Sequence, residues 1–197
     1  MKEKKRLEGK DLLSVGIFTA VYFVLNLLVA AILGLIPAVN MLVPLVSSFV
    51  TGIPMILYFM KIKKFGMIVI TYTVYGCLLT LAGVGIYSLA FGIIFAIIAE
   101  LILRSGNYQK VSRAIVAFAF TSVGANANVL SMVNTSAEYL KGKAATYGED
   151  YMKLMEQYFE AWWVLPVLII SAFVGGLLGG LLGKKVFKKH FIRSGVI

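Results

Sequence analysis

Amide and hydroxyl side chains set inside apolar sequence are the residues of this chain whose chemistry most needs an explanation. The run TSVGANANVLSMVNTS carries Asn126 and Asn128, with Ser122, Ser131 and Asn134 nearby. An amide turned toward lipid leaves donors and acceptors unsatisfied, at a cost of several kcal/mol. These side chains therefore face the protein interior or a wet cavity. Two positions two residues apart point about 200° away from each other on an ideal helix. At most one of Asn126 and Asn128 can then face a central pocket directly, unless Gly124 loosens the local backbone. Two kinds of chemistry fit. One is hydrogen bonding between helices, worth ~0.6 kcal/mol per contact on average. The other is recognition of polar groups on a solute. Asn26 admits the same two readings.

Glu100 is the only acid within an apolar run. A carboxylate near the bilayer centre costs ~3 kcal/mol and invites a proton-relay reading. Arg104 lies four residues on, in the favourable order for a pair within one helix, and that pair is the expectation. No second buried acid is available to complete a relay. Catalytic constellations are missing as well. No G-x-x-x-x-G-K-[ST] loop is present to cradle nucleotide phosphates. The one histidine, His190, sits in a basic tail, and no Cys/His cluster offers a metal site. No nucleophile, base and orienting acid can be assembled from the apolar runs. The expectation is a protein without enzymatic activity, cofactor or metal. The single cysteine, Cys77, reads as a small buried hydrophobe.

The elements that must hold these residues are membrane spans. Of the 197 residues, 60% are hydrophobic and only 14% are charged. Soluble domains have roughly 45–50% and ~25%. The stretch from Leu12 to Ile36 contains no charge. As a helix it would run roughly 37 Å, against a hydrocarbon core of ~30 Å. Further apolar runs follow it, so it reads as a retained span and not as a cleaved signal. The spacing predicts six spans: Leu12–Ile36, Pro44–Met60, Gly66–Leu81, Ile86–Leu103, Ala114–Val133 and Trp162–Leu182. Pro54 should kink the second. The fold class is an all-α integral membrane protein, one six-helix domain over residues 1–197. Residues 1–10 form a basic arm, 134–161 a longer outer loop, and 184–197 a basic tail.

The formal charge of +10 could suggest nucleic acid, but the distribution of charge argues against it. Five Lys and Arg lie in the amino-terminal arm, three at 61–64, three at 104–113 and five in the tail. Of the 19, only Lys141, Lys143 and Lys153 lie on the other side. The positive-inside rule puts both termini in the cytoplasm of a multi-pass cell-membrane protein. The excess charge then contacts anionic lipid heads, and nucleic acid is not an expected partner. The long outer loop carries Tyr147, Tyr151, Met155, Tyr158 and Trp162. Positions 151, 155, 158 and 162 share a helical face, and Gly148 before Glu149 and Asp150 suits a helix start. A short amphipathic helix is expected there, either floating at the interface or closing over a pocket as a lid. Trp162 and Trp163 fit an interfacial belt or a stacking platform.

Small residues mark two helix faces. Gly16 and Ala20, four apart in the first span, allow another helix to come close. The spacing fits docking of a partner or packing within the chain. Gly175, Gly179 and Gly183 share one face of the sixth span, and Gly176 and Gly180 an adjacent one. Their expected neighbour is the first span or a partner protein.

With six spans, cytoplasmic termini and that first-span motif, the chain resembles the substrate-binding S component of energy-coupling factor (ECF) transporters, which belong to the ABC class. The stretches GKDLLSVGIFTAVYF and ANANVLSMVN look most like the Trep_Strep membrane proteins. The resemblance implies a protein that captures a vitamin or similar small micronutrient outside and docks on a membrane coupling protein bearing two cytoplasmic ATPases. It implies docking through an Ala-x-x-x-Ala motif, which Gly16 and Ala20 match with glycine in the first place. It also implies a ligand pocket at the outer loops and outer span ends. Onto that region fall Asn40, Tyr87, Asn126, Asn128, Trp162 and Trp163. A stand-alone secondary transporter or channel is the alternative. It would want a charged relay or an internal repeat, and neither is evident.

Overall fold

The computed structural model describes residues 7–132, 144, 145 and 147–186. Expectations placed on the remaining residues, including Asn134, Lys141, Lys143 and much of the basic arm and tail, lie outside the described residues. In chain order the helices are α1 Gly9–Leu33, α2 Pro37–Asn40, α3 Val43–Ile62, α4 Met67–Leu81, α5 Tyr87–Ser105, α6 Val111–Ala125, α7 Glu149–Glu160 and α8 Val164–Val186. A 3-10 segment, Ala127–Met132, continues from α6.

The fold class is as expected, all-α and membrane-spanning. Five stretches among the described residues are long and apolar enough to cross a bilayer: α1, α3, α5, α8, and α6 together with its 3-10 continuation. The sixth expected span, α4, is apolar but only 15 residues long. At ~1.5 Å per residue it covers roughly 22 Å. Its start is set by Gly66, whose φ of +94° no ordinary side chain adopts easily.

The six apolar helices close into a ring. α1 packs on α3 and α4, α4 on α5, α5 on α6, α6 on α8, and α8 on α3, while α3 and α6 also touch across the middle. The interior is aromatic. Tyr22 meets Tyr72 and Tyr75 edge-on at 5.4 and 4.9 Å between ring centroids. Tyr58 lies against Phe18 and Phe59, and Phe59 against Phe118.

The glycine stripes of α8 have a different neighbour from the one expected. Gly175, Gly179 and Gly183 lie against the backbone of α3, at Leu45, Phe49 and Gly52. A methyl group added at Gly183 would sit 2.7 Å from the Gly52 carbonyl oxygen. Gly176 and Gly180 face Ala119, Ser122 and Ile115 of α6. The sixth span is therefore wedged between the second and fifth, not set against the first. Helices this close gain dispersion and backbone contacts that larger residues would block.

α1 turns Val15, Thr19, Tyr22 and Asn26 inward. Gly16 and Ala20 lie on its exposed side, with nothing within 4 Å of where a Gly16 Cβ would be. The internal-packing reading of this pair is thus not realised. Asn26 donates from Nδ2 to the Tyr22 carbonyl of its own helix at 2.8 Å.

α7 forms where the loop pattern placed a helix, but its inward face is rotated by about one position. Met152 and Met155 are buried, Tyr151 is half-buried, and Tyr158 and Trp162 point outward. Met155 and Tyr151 belong to the face that the spacing grouped, while Met152, outside that grouping, is buried beside them.

The Glu100–Arg104 expectation is corrected. Glu100 is fully buried. Its Oε2 accepts the Ile68 N–H at 3.0 Å, and its Oε1 accepts the Tyr108 hydroxyl at 3.1 Å. Glycine at position 66 has no side chain with which to cap α4, so a carboxylate from α5 satisfies the orphan donor. The Arg104 guanidinium lies instead over the Phe65 ring, 5.8 Å from its centroid.

Candidate functional site

The bundle has two unlike ends. At the end where α1 starts lie Lys61, Lys63 and Lys64, Arg104, Lys110 and Arg113, and Lys184 and Lys185. There Lys64, nearly buried, donates to Asp11 Oδ2 at 2.6 Å and to Glu8 Oε1 at 3.1 Å. Lys10 also pairs with Glu8, at 3.1 Å. The opposite end carries α2, the 82–86 turn, the 3-10 segment and α7, and it holds every residue singled out for ligand contact.

Those residues do not converge on one pocket. They sort into three polar clusters and one exposed pair. In the first cluster, Asn40 Nδ2 donates to the Tyr151 hydroxyl oxygen at 2.7 Å, and that hydroxyl donates to the Gly34 carbonyl at 2.8 Å. The end of α1, α2 and α7 are thereby tied at one point. Burial raises the Tyr151 hydroxyl above the ordinary tyrosine range, so it keeps the proton it gives to Gly34.

The second cluster is built on Asn126. Its Oδ1 accepts Ser47 Oγ at 3.3 Å, and its Nδ2 donates to Ser48 Oγ at 3.2 Å and to the Ser122 carbonyl at 2.9 Å. In the third, Asn128 Oδ1 accepts the Ser88 N–H at 2.9 Å near the start of α5. Ser88 Oγ donates to the Ala125 carbonyl at 2.7 Å. It also accepts the Asn128 N–H at 3.2 Å. Asn126 thus reaches α3 and Asn128 reaches α5, the divergence that a two-residue offset on a helix demands. Both amides link helices. Tyr87, half-buried, sits next to Ser88 at the same helix start. Trp162 is 85% exposed and Trp163 54%, so neither stacks over the asparagines.

A crevice of about 220 Å³ opens beside the second cluster. It is walled by Phe91 and Phe95 of α5, Val123, Asn126, Ala127, Val129 and Leu130, and Leu168, Ile169 and Ala172 of α8. Asn126 is the only polar side chain in that wall, and its amide is already engaged by three partners. An apolar cavity of ~150 Å³ is enough to hold a benzene-sized ring. The arrangement can take hydrocarbon or an aromatic ring by shape and dispersion; it offers no charged or nucleophilic group.

Sequence reasoning missed the partners. Ser47 and Ser48, adjacent hydroxyls in an apolar run, were a visible signal, but spacing cannot say which helix they meet. Nothing in the sequence marks Phe91 and Phe95 as lining a crevice. No group of three or more metal-ligating side chains occurs among the described residues.

A family model described as a hypothetical bacterial integral membrane protein, Trep_Strep, matches residues 9–193. The chain belongs to the Trep_Strep family. No curated protein and no solved structure matches it. The family description agrees with the five long apolar stretches, and it places this Trep_Strep protein in a bacterial membrane.

Proposed function

We propose that this chain is the solute-capturing S component of an ECF-type importer of the ABC class. In this role it takes a vitamin-like micronutrient at the α7 end and docks on a membrane coupling protein with two cytoplasmic ATPases. The observation that carries the proposal is the exposed Gly16–Ala20 face of α1. The glycine stripes of α8 are consumed inside the bundle, whereas this pair is left open at the basic half of a membrane helix. Small residues at i and i+4 let a second helix approach closely where no hydrophobic effect operates between helices. The cluster of Lys and Arg at the α1 start orients that half toward the cytoplasm by the positive-inside rule. The α7 end then faces outward, where a solute would arrive. The carbon-walled crevice favours a solute with an apolar or aromatic part. Asn126 would contribute the wall's only amide there, while Asn40, Tyr87 and Asn128 would act at the rim. Trp162 and Trp163 anchor α8 at the interface.

Reconstituted uptake tests this. Proteoliposomes holding the chain with its coupling protein and ATPases accumulate the solute that co-purifies with it, identified by native mass spectrometry, and do so only with ATP. Proteoliposomes holding the chain alone bind the solute without accumulating it. Accumulation by the chain alone would make it a stand-alone transporter.

A further inference from the structure

We propose that α7 is a latched strap over the α7 end of the bundle, and that the Tyr151 hydroxyl is its latch. The proposal goes beyond solute capture and stands whether or not the chain is an importer. α7 is strongly two-faced, yet only Met152 and Met155 are buried along its length. Its packing partners are α2, the 3-10 segment and the start of α8. Few apolar contacts and largely exposed backbone place a segment at the low-stability end of a fold.

Both ends of α7 are suited to swing. Gly148 has φ +89° and nothing within 4 Å of a Cβ position. Ala161, at the other end, is extended. Against this weak packing, one side chain makes two directed long-range bonds. Tyr151 Oη donates to Gly34 O at 2.8 Å and accepts Asn40 Nδ2 at 2.7 Å. The Tyr147 ring stacks on it with centroids 5.3 Å apart. Releasing that hydroxyl frees α7 from the α1–α2 corner. It also uncovers the 3-10 segment, whose Ala127, Val129 and Leu130 form one wall of the crevice. The 3-10 segment thus lies against the strap on one side and lines the crevice on the other.

Cys77 is exposed and not the buried hydrophobe expected, so the test uses the full chain in nanodiscs with Cys77 replaced by serine. A cysteine is placed at buried Met155 (M155C) or at exposed Tyr158 (Y158C), and labelling by a polar maleimide is timed. M155C should label far more slowly than Y158C. Adding Tyr151→Phe, which keeps the ring and removes the hydroxyl, should speed labelling of M155C about tenfold, the scale of one or two lost hydrogen bonds. The Y158C rate should not move. Hydrogen exchange in the cysteine-free chain provides the second readout: amides of 149–160 should exchange faster in Tyr151→Phe while those of α3 and α8 stay unchanged. Equal M155C labelling with and without the hydroxyl would overturn the latch. So would a rise in exchange spread over α3 and α8, because Tyr151 would then be holding the whole bundle.

Discussion

Glu100 shows how an ionisable residue in a membrane helix can be structural. Its carboxylate takes the place of a cap that Gly66 cannot supply and accepts the Tyr108 hydroxyl as well. Glu100→Ala leaves a buried N–H without a partner, which costs ~1–3 kcal/mol. A lowered midpoint in a detergent thermal scan would record that loss. Arg104→Ala should move the midpoint far less, because the guanidinium meets only the exposed Phe65 ring. Equal losses for the two variants would restore the intrahelical pair. The four-residue spacing made that pair legible in the sequence; the cap was not, because it depends on which helix start lies beside α5. Lys64 makes a second case. Its bond to Asp11 raises the ammonium above the ordinary lysine range, while Lys10 first and Lys64 second hold Glu8 below the ordinary carboxylate range. The Glu8 contribution is present above the ordinary glutamate pKa and is lost as pH falls through the lowered value. The Lys64 contribution is present below the ordinary lysine pKa and is lost as pH rises through the raised value. Midpoints should thus be level around neutral pH and fall at both extremes, and Lys64→Met should remove part of each fall.

At the scale of elements, glycine spacing was visible but glycine partners were not. The same i, i+4 pattern occurs in α1 and α8. Only the structure shows that α8 spends its stripes on α3 and α6 while α1 leaves its pair exposed. The two faces therefore predict opposite mutational behaviour. Gly179→Leu drives a side chain into the backbone at Phe49 and should cost at least the ~1–3 kcal/mol of core overpacking, seen as aggregation or a large drop in midpoint. Gly16→Leu meets open space and should leave the midpoint within a degree or two of the wild-type value. A Gly16→Leu protein as unstable as Gly179→Leu would mean that the α1 face is packed. The spans were legible because uncharged runs of about twenty residues have few other uses. The inward face of α7 was legible only in part: Met155 lay on the grouped face, but buried Met152 did not.

At the scale of the molecule, the ring of helices separates two kinds of surface. One end carries the ionic anchors of α1 and the basic turns, and the other carries three polar clusters, a carbon-walled crevice and α7. Charge distribution let the sequence assign these ends, but not the way the asparagines divide between α3 and α5. An amide names its chemistry and leaves its partner open. The separation of ends suits a subunit that captures at one end and is driven through α1 from the other. The most direct measurement is co-purification of the coupling protein and ATPases with the wild-type chain and with Ala20→Trp. The account predicts a stoichiometric complex for the wild type, and for Ala20→Trp a complex reduced at least tenfold while co-purifying solute is retained. A full complex with Ala20→Trp would contradict it.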